Sequence, residues 1–299
     1  MLLNSVVEGA SGNEAHAYGG NMLDPYFDFT GKIALVTGGS RGLGKAIATT
    51  FAQEGAKVVI ASRTQANLED TLAELEAIAP GRVHGIAASM TDPESVKRVV
   101  EESRDRFGPI SIAISNVIGH VIDANKEGSG PGAGTFEGMA TNEYKDEFTQ
   151  LLVSSWALAR ECVPDMKAQG WGRICNIGSG VAREPSTYLP HLLPNVVRPS
   201  VAGMHRLMAA RLASDGITVN NILTGSILTE RNRSYWVWLA KERGITVAQA
   251  TQDMTDRIPL GRFGEPSEMA ALVAFLCSDK AQKVTGQSIS VGGGGSAHL

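Results

Sequence analysis

Residues 33–44, Ile33-Ala34-Leu35-Val36-Thr37-Gly38-Gly39-Ser40-Arg41-Gly42-Leu43-Gly44, decide the fold. A run apolar enough to be buried on both faces enters a glycine-rich turn, and an amphipathic pattern follows over 43–54. The reading is strand, turn, helix. In that context the turn amides and the helix N-terminus meet the pyrophosphate of a dinucleotide. Gly38 permits the turn, Gly42 lets the backbone approach the phosphates, and Gly44 allows close helix packing. Ser40, Arg41 and Leu43 belong to the same cradle.

Outward from this unit, short apolar runs alternate with longer amphipathic stretches. Strands are predicted at 33–37, 57–61, 83–88, 110–115, 172–177, 217–222 and 287–291. Helices are predicted at 43–54, 65–78, 92–106, 142–168, 195–214 and 266–278. Continuous rather than alternating apolar strands predict a parallel sheet covered on both faces. The β-α-β-α order gives an α/β fold of the Rossmann type, a doubly wound parallel sheet with helices on both faces. No repeat or linker divides it, so residues 29–299 are expected to form one domain after a tail over 1–28. Two segments break the rhythm. Residues 118–141 hold six glycines and no helical period, and residues 226–262 carry Tyr235, Trp236 and Trp238. Both leave the carboxyl ends of strands, where doubly wound sheets bind ligands, so they are expected to form a substrate loop and a lid. Packing of Trp236 and Trp238 against the body or a second subunit is the alternative.

The totals exclude several classes. A formal charge of −4 with no basic run argues against a nucleic-acid partner. Cys162, Cys175 and Cys277 are widely spaced, which suits reduced thiols in a cytoplasmic protein. No His or Cys pair has metal-ligand spacing, so no metal is expected. No apolar run approaches the ~20 residues of a membrane span, and no signal peptide is expected.

The second strand bears on the cofactor. An acid at its end would bind a ribose 2′-hydroxyl, whereas arginine meets a 2′-phosphate. Here the strand ends Ile60-Ala61-Ser62-Arg63, and Arg41 projects toward the same region. Two cations and a hydroxyl suit a dianion, which predicts NADP(H) over NAD(H).

Over roughly 29–292 the chain resembles the short-chain dehydrogenase/reductase family. The resemblance rests on Thr37 to Gly44, the Asn116 region, Gly172-Arg173-Ile174-Cys175-Asn176-Ile177-Gly178-Ser179, Ile217-Thr218-Val219-Asn220, Val284-Thr285-Gly286-Gln287 and Val291-Gly292-Gly293. It implies that Ser179 polarises a substrate oxygen, that Asn116 lies beside the cofactor, and that Ile227 and Thr229 meet the nicotinamide amide. It also implies a homodimer or homotetramer built through helices matching 142–168 and 195–214.

The family's acid–base set is replaced. No Tyr is followed by Lys four residues on: the residues after Tyr18, Tyr26, Tyr144, Tyr188 and Tyr235 at that spacing are Met22, Thr30, Phe148, Leu192 and Leu239. The resemblance puts Pro194 at the Tyr position, Arg198 at the Lys position, Leu151 at the Asn position and Ser89 at the adenine-contacting Asp. Arg198 can hold a ribose and stabilise negative charge, but its pKa is too high for a general acid. Asn195, three residues earlier, shares its helix face. His191 and Tyr188 are the candidates to move a proton, His191 having the better-matched pKa. Each is also compatible with an ordinary loop residue.

The leading expectation is an NADP(H)-linked oxidoreductase acting on a carbonyl or alcohol of a fairly apolar small molecule. A non-redox lyase, isomerase or cyclase on the same fold is the first alternative. A catalytically silent nucleotide-binding subunit paired with an active relative is the second.

Overall fold

The computed structural model describes residues 26–117, 141–185 and 192–295. Seven strands form one parallel sheet: β1 Ile33–Thr37, β2 Lys57–Ser62, β3 Val83–Ala87, β4 Ile112–Ser115, β5 Gly172–Ile177, β6 Ile217–Thr224 and β7 Ser288–Val291. Their order, β3-β2-β1-β4-β5-β6-β7, reverses direction between β1 and β4. That switch point opens a crevice at the strands' carboxyl ends.

All five residues of β1 are buried, because both faces of the sheet are covered. Successive side chains alternate between the faces. Ala34 and Val36 join Ile47 and Phe51 of α1 (Gly42–Gln53), with Leu68 of α2 (Ala66–Ile78), in one cluster. Ile33 and Leu35 join Val96 and Val99 of α3 (Pro93–Phe107) in the other. The next helical segment runs through α4 (Thr141–Phe148), a π-helical turn over Thr149–Val153, and α5 (Ser154–Gln169). α6 spans Leu192–Leu212. α5 and α6 supply Cys162, Met166 and Ala209 to the second cluster, and α9 (Pro266–Cys277) supplies Met269 and Val273 to the first.

Most boundaries shift by one or two residues from the sequence expectation, and three of the shifts have a clear local reason. β4 starts at Ile112 rather than 110 because the Ile110 amide donates to the Asp165 carboxylate (2.8 Å) and the Gln169 amide donates to the Ile110 carbonyl (3.0 Å). β6 continues to Thr224 because its register with β7 extends to Thr224 opposite Val291. α6 is already helical at Leu192, so Pro194 sits in the first turn, where its missing amide is no loss.

The lid region forms two helices, α7 (Glu230–Arg243) and α8 (Val247–Thr255). Its aromatics pack within the region itself: Trp236 and Trp238 are buried, Trp236 stacking on Phe263 with ring centroids 4.4 Å apart and Trp238 clustering with Leu239, Ala240 and Ala250. The proposed loop 118–141 lies outside the described residues apart from Thr141, as does the tail except for residues 26–28. Among the described residues, no helix is long and apolar enough to cross a membrane.

Candidate active site

The glycine turn is held from both sides of the switch point. Thr37 Oγ1 donates to the Ile114 carbonyl (3.0 Å) and accepts from the Asn116 amide (2.8 Å). Asn116 Nδ2 donates to the Gly38 carbonyl (3.2 Å). Asn116 thus fixes the turn from below. A Cβ on Gly44 would collide with the Gly38 carbonyl and come within 2.6 Å of Asn116 Nδ2, so only glycine fits. Gly42 is different: its φ is +54°, and a Cβ there would find open space but for the Thr229 methyl at 3.8 Å. The open space beside Gly42 lets phosphates approach the backbone, so these residues fit a dinucleotide.

Beside the turn, Ser40 Oγ and Ser62 Oγ are 2.9 Å apart, and Thr71 Oγ1 donates to the Ser40 carbonyl (2.7 Å). These contacts tie the turn to β2 and α2. Arg41, the extended residue before α1, and Arg63, just beyond β2, are both exposed. Leu43 is half-buried against the α1 side of the core. Across the crevice, Ile227 is buried and bridges to Gly264, and Thr229 caps α7 by accepting from the Asn232 amide (3.3 Å).

The other end of the crevice is built by the ends of β4 to β6 and by α6. Ser179 follows β5 in extended conformation, and its hydroxyl does not cap the 3-10 turn Gly180–Ala182 that comes next. Arg198 lines a cavity with Ser115, Asn176 and Asn221 from the ends of β4, β5 and β6, and with Leu151. Its volume of about 10 Å³ has room for a single water. It is too small for an organic substrate, so these residues define the inner wall of the site and not its extent. Asn176 Nδ2 donates to Asn221 Oδ1 (2.9 Å), linking adjacent strands across that wall. Asn195 lies on the first turn of α6, half-buried. Tyr188 and His191 lie outside the described residues.

Leu151 sits in the π-helical turn, a distortion found often at functional sites, and packs with Val197 and Val201 on either side of Arg198. One turn earlier, Glu147 is 1% exposed. Burial pushes the Arg198 guanidinium down to about 10; the nearby charge of Arg231 adds to the fall and Glu147 opposes it. Burial of its guanidinium lowers Arg231 as well, and Glu147 opposes that fall too. Glu147 and Arg231 are charges acting on Arg198 that the sequence reading did not single out. Glu147 is one of three acids within 143–147, a pattern that reads as a solvated helix face, and Arg231 sits in an unremarkable charged run of the lid. Among the described residues, no group of three or more His, Cys, Asp or Glu is placed to hold a metal ion.

Comparisons with known proteins agree with this geometry. The family model described as enoyl-(acyl carrier protein) reductase matches residues 38–296. The 3-oxoacyl-(acyl-carrier-protein) reductase FabG of Vibrio cholerae is 32% identical over 264 residues, covering 88% of this chain and 97% of its own. Human dehydrogenase/reductase SDR family member 4 is 32% identical over 275 residues, covering 90% of this chain and 88% of its own. The structure of L-sorbose reductase from Gluconobacter frateurii, complexed with NADPH and L-sorbose, superposes with a TM-score of 0.82 at 31% identity. That match covers 91% of this chain and 99% of the reductase. Sheet order, glycine turn and relatives together establish that the chain belongs to the short-chain dehydrogenase/reductase family.

Proposed function

We propose that this protein is an NADP(H)-dependent oxidoreductase that interconverts a carbonyl and an alcohol on a small molecule with an apolar body. The observation that carries the reading is the end of β2. Two exposed arginines, Arg41 and Arg63, flank the Ser40–Ser62 hydroxyl pair, with no acid to meet a free ribose hydroxyl. NADPH in the complexed L-sorbose reductase supports the same cofactor. Gly38, Gly42 and Gly44 would receive the pyrophosphate, and Asn116, Ile227 and Thr229 the nicotinamide end.

The bound cofactor supplies the hydride; the chain supplies position and charge. Ser179 donates a hydrogen bond to the substrate oxygen, and Arg198 stabilises negative charge developing there. Asn195 shares the Arg198 helix face. The proton comes from His191 or Tyr188. Val117, Leu151, Ala182, Val201 and Leu223 beside Arg198 give the inner wall its apolar share, which suits an apolar substrate body. Self-association through α5 and α6 accompanies the reading, with Trp156 and Leu207 exposed on those helices. Three buried thiols suit the cytoplasm.

A non-redox reading has its own support, because Leu151 and Arg198 replace acid–base groups. One experiment separates the two. NADPH and NADH are titrated by fluorescence, and NADPH oxidation is then followed at 340 nm across a carbonyl panel. Preferential NADPH binding with oxidation is expected. Tight binding with no oxidation favours non-redox chemistry or a silent subunit, and equal affinity for both nucleotides removes the NADP(H) assignment.

A further inference from the structure

Ser115, Asn176 and Asn221 stand in one row across β4, β5 and β6, in register as Ser115 with Asn176 and Asn176 with Asn221. Two residues earlier on each strand the same face is apolar, because Ala113, Ile174 and Val219 belong to the core that α5 and α6 cover. The row turns polar while still buried, at 3%, 8% and 3% exposure. Buried polar groups need partners. Asn176 Nδ2 donates one of its two N–H groups to Asn221 Oδ1 (2.9 Å). Among the described residues, none hydrogen-bonds the Ser115 hydroxyl, Asn221 Nδ2 or the Arg198 guanidinium. These residues line one cavity, which apolar side chains complete and no acid enters. Its volume of about 10 Å³ admits one particle of roughly water's size, too little for a carboxylate, phosphate or sulfate. Donors gathered around a fixed positive charge suit an anion better than a neutral molecule. Glu147 offsets part of the Arg198 charge but does not line the cavity.

We propose that this cavity binds a single monatomic anion, chloride, held by the Arg198 guanidinium, the Ser115 hydroxyl and the amide N–H groups of Asn176 and Asn221. Chloride is little larger than water, so it meets the size limit that excludes the common oxyanions. It offsets a charge that the protein interior disfavours, and its binding stabilises the folded chain. The site stands on the strand register and the cavity lining, and does not depend on the oxidoreductase reading above.

The test pairs thermal stability with direct location of the ion. The full chain is melted across a sodium chloride series, with sodium gluconate holding the ionic strength constant, since gluconate is too large for the cavity. Wild type is expected to show a saturable rise in Tm. S115A is expected to bind chloride on the order of 10-fold more weakly, and R198M to lose the effect. S115A removes one hydroxyl and no charge, so it decides the matter even where R198M does not fold. Crystals of the wild type are then soaked in sodium bromide. An anomalous difference peak is expected in the cavity, within hydrogen-bond distance of Arg198 and Ser115. A Tm that tracks ionic strength alone overturns the proposal, as does a chloride affinity unchanged in S115A. Density for water with no anomalous signal in the cavity overturns it as well. Bromide found only on the outer surface shows an adventitious ion only and has the same consequence.

Discussion

Glu147 on α4 and Arg198 on α6 are charge partners across two packed helices, the buried carboxylate offsetting a guanidinium that burial and Arg231 both destabilise. Their helices meet where Phe148, Leu151 and Leu152 pack on Val197 and Val201. Low-dielectric surroundings make the loss of such an offset costly. E147Q keeps the shape and removes the charge, leaving the two arginines in mutual repulsion. It is expected to lower unfolding free energy by about 1–3 kcal/mol. A double-mutant cycle of E147Q with R198M is expected to give a coupling of at least about 0.5 kcal/mol. Additive effects in urea denaturation would show that the two charges act independently.

The end of β2 makes a separate claim about the cofactor. Arg41 and Arg63 are exposed, and Ser62 is held by Ser40. R63A and R41A are each expected to raise the Kd for NADPH on the order of 10-fold or more while leaving that for NADH within about 2-fold, since only the former has the 2′-phosphate. Parallel losses for both nucleotides would mean that the arginines support the turn rather than select the cofactor.

Much of this fold is legible in the sequence because its strands are covered on both faces. Ile33 to Val36 and Lys57 to Ala61 read as continuous apolar runs, and the glycine spacing after β1 has few other uses. Asn116, which braces the glycine turn, is likewise legible from its place after β4. The charge cluster is not legible. Glu147 shares a helix with Glu143 and Asp146, and only the packing of α4 on α6 distinguishes the buried acid from its neighbours. The apolar aromatics of 235–238 gave no sign of their partners, which are Phe263 for Trp236 and residues of α7 and α8 for Trp238. Pattern reveals which face is apolar, and tertiary contact decides which charge is taken inside.

Gly42 and Gly44 are expected to fail in different ways. G44A drives a methyl into the Gly38 carbonyl and Asn116, so it is expected to cost about 1–3 kcal/mol of stability as an overpacked site. G42A meets open space and pays mainly for its positive φ, about 1 kcal/mol. Its methyl would stand where phosphates approach, so its loss of NADPH affinity should be out of proportion to its small shift in Tm. Equal effects on stability and affinity in both variants would contradict the assignment of Gly42 to the phosphate cradle.

His205 gives the fold a predictable response to acid. It is 1% exposed on α6, with Nδ1 2.9 Å from the Val201 carbonyl and Nε2 3.1 Å from Ser155 Oγ. A carbonyl can only accept, so Nδ1 carries the proton and Nε2 accepts from the Ser155 hydroxyl; the ring is neutral. Burial pushes its pKa down to about 4, and the Val201 carbonyl only partly opposes this. The unfolded chain protonates this ring near its ordinary value of about 6.5. Between those values the unfolded state binds the extra proton, so stability is complete above about 6.5 and falls as pH drops toward 4. The loss attributable to this ring is about 3 kcal/mol at most. H205Q has no proton to bind, so the difference in unfolding free energy between wild type and H205Q should narrow steadily from pH 7 to pH 4.5. A difference that stays constant over that interval would show that His205 is not neutral in the folded protein or that its ring is open to solvent.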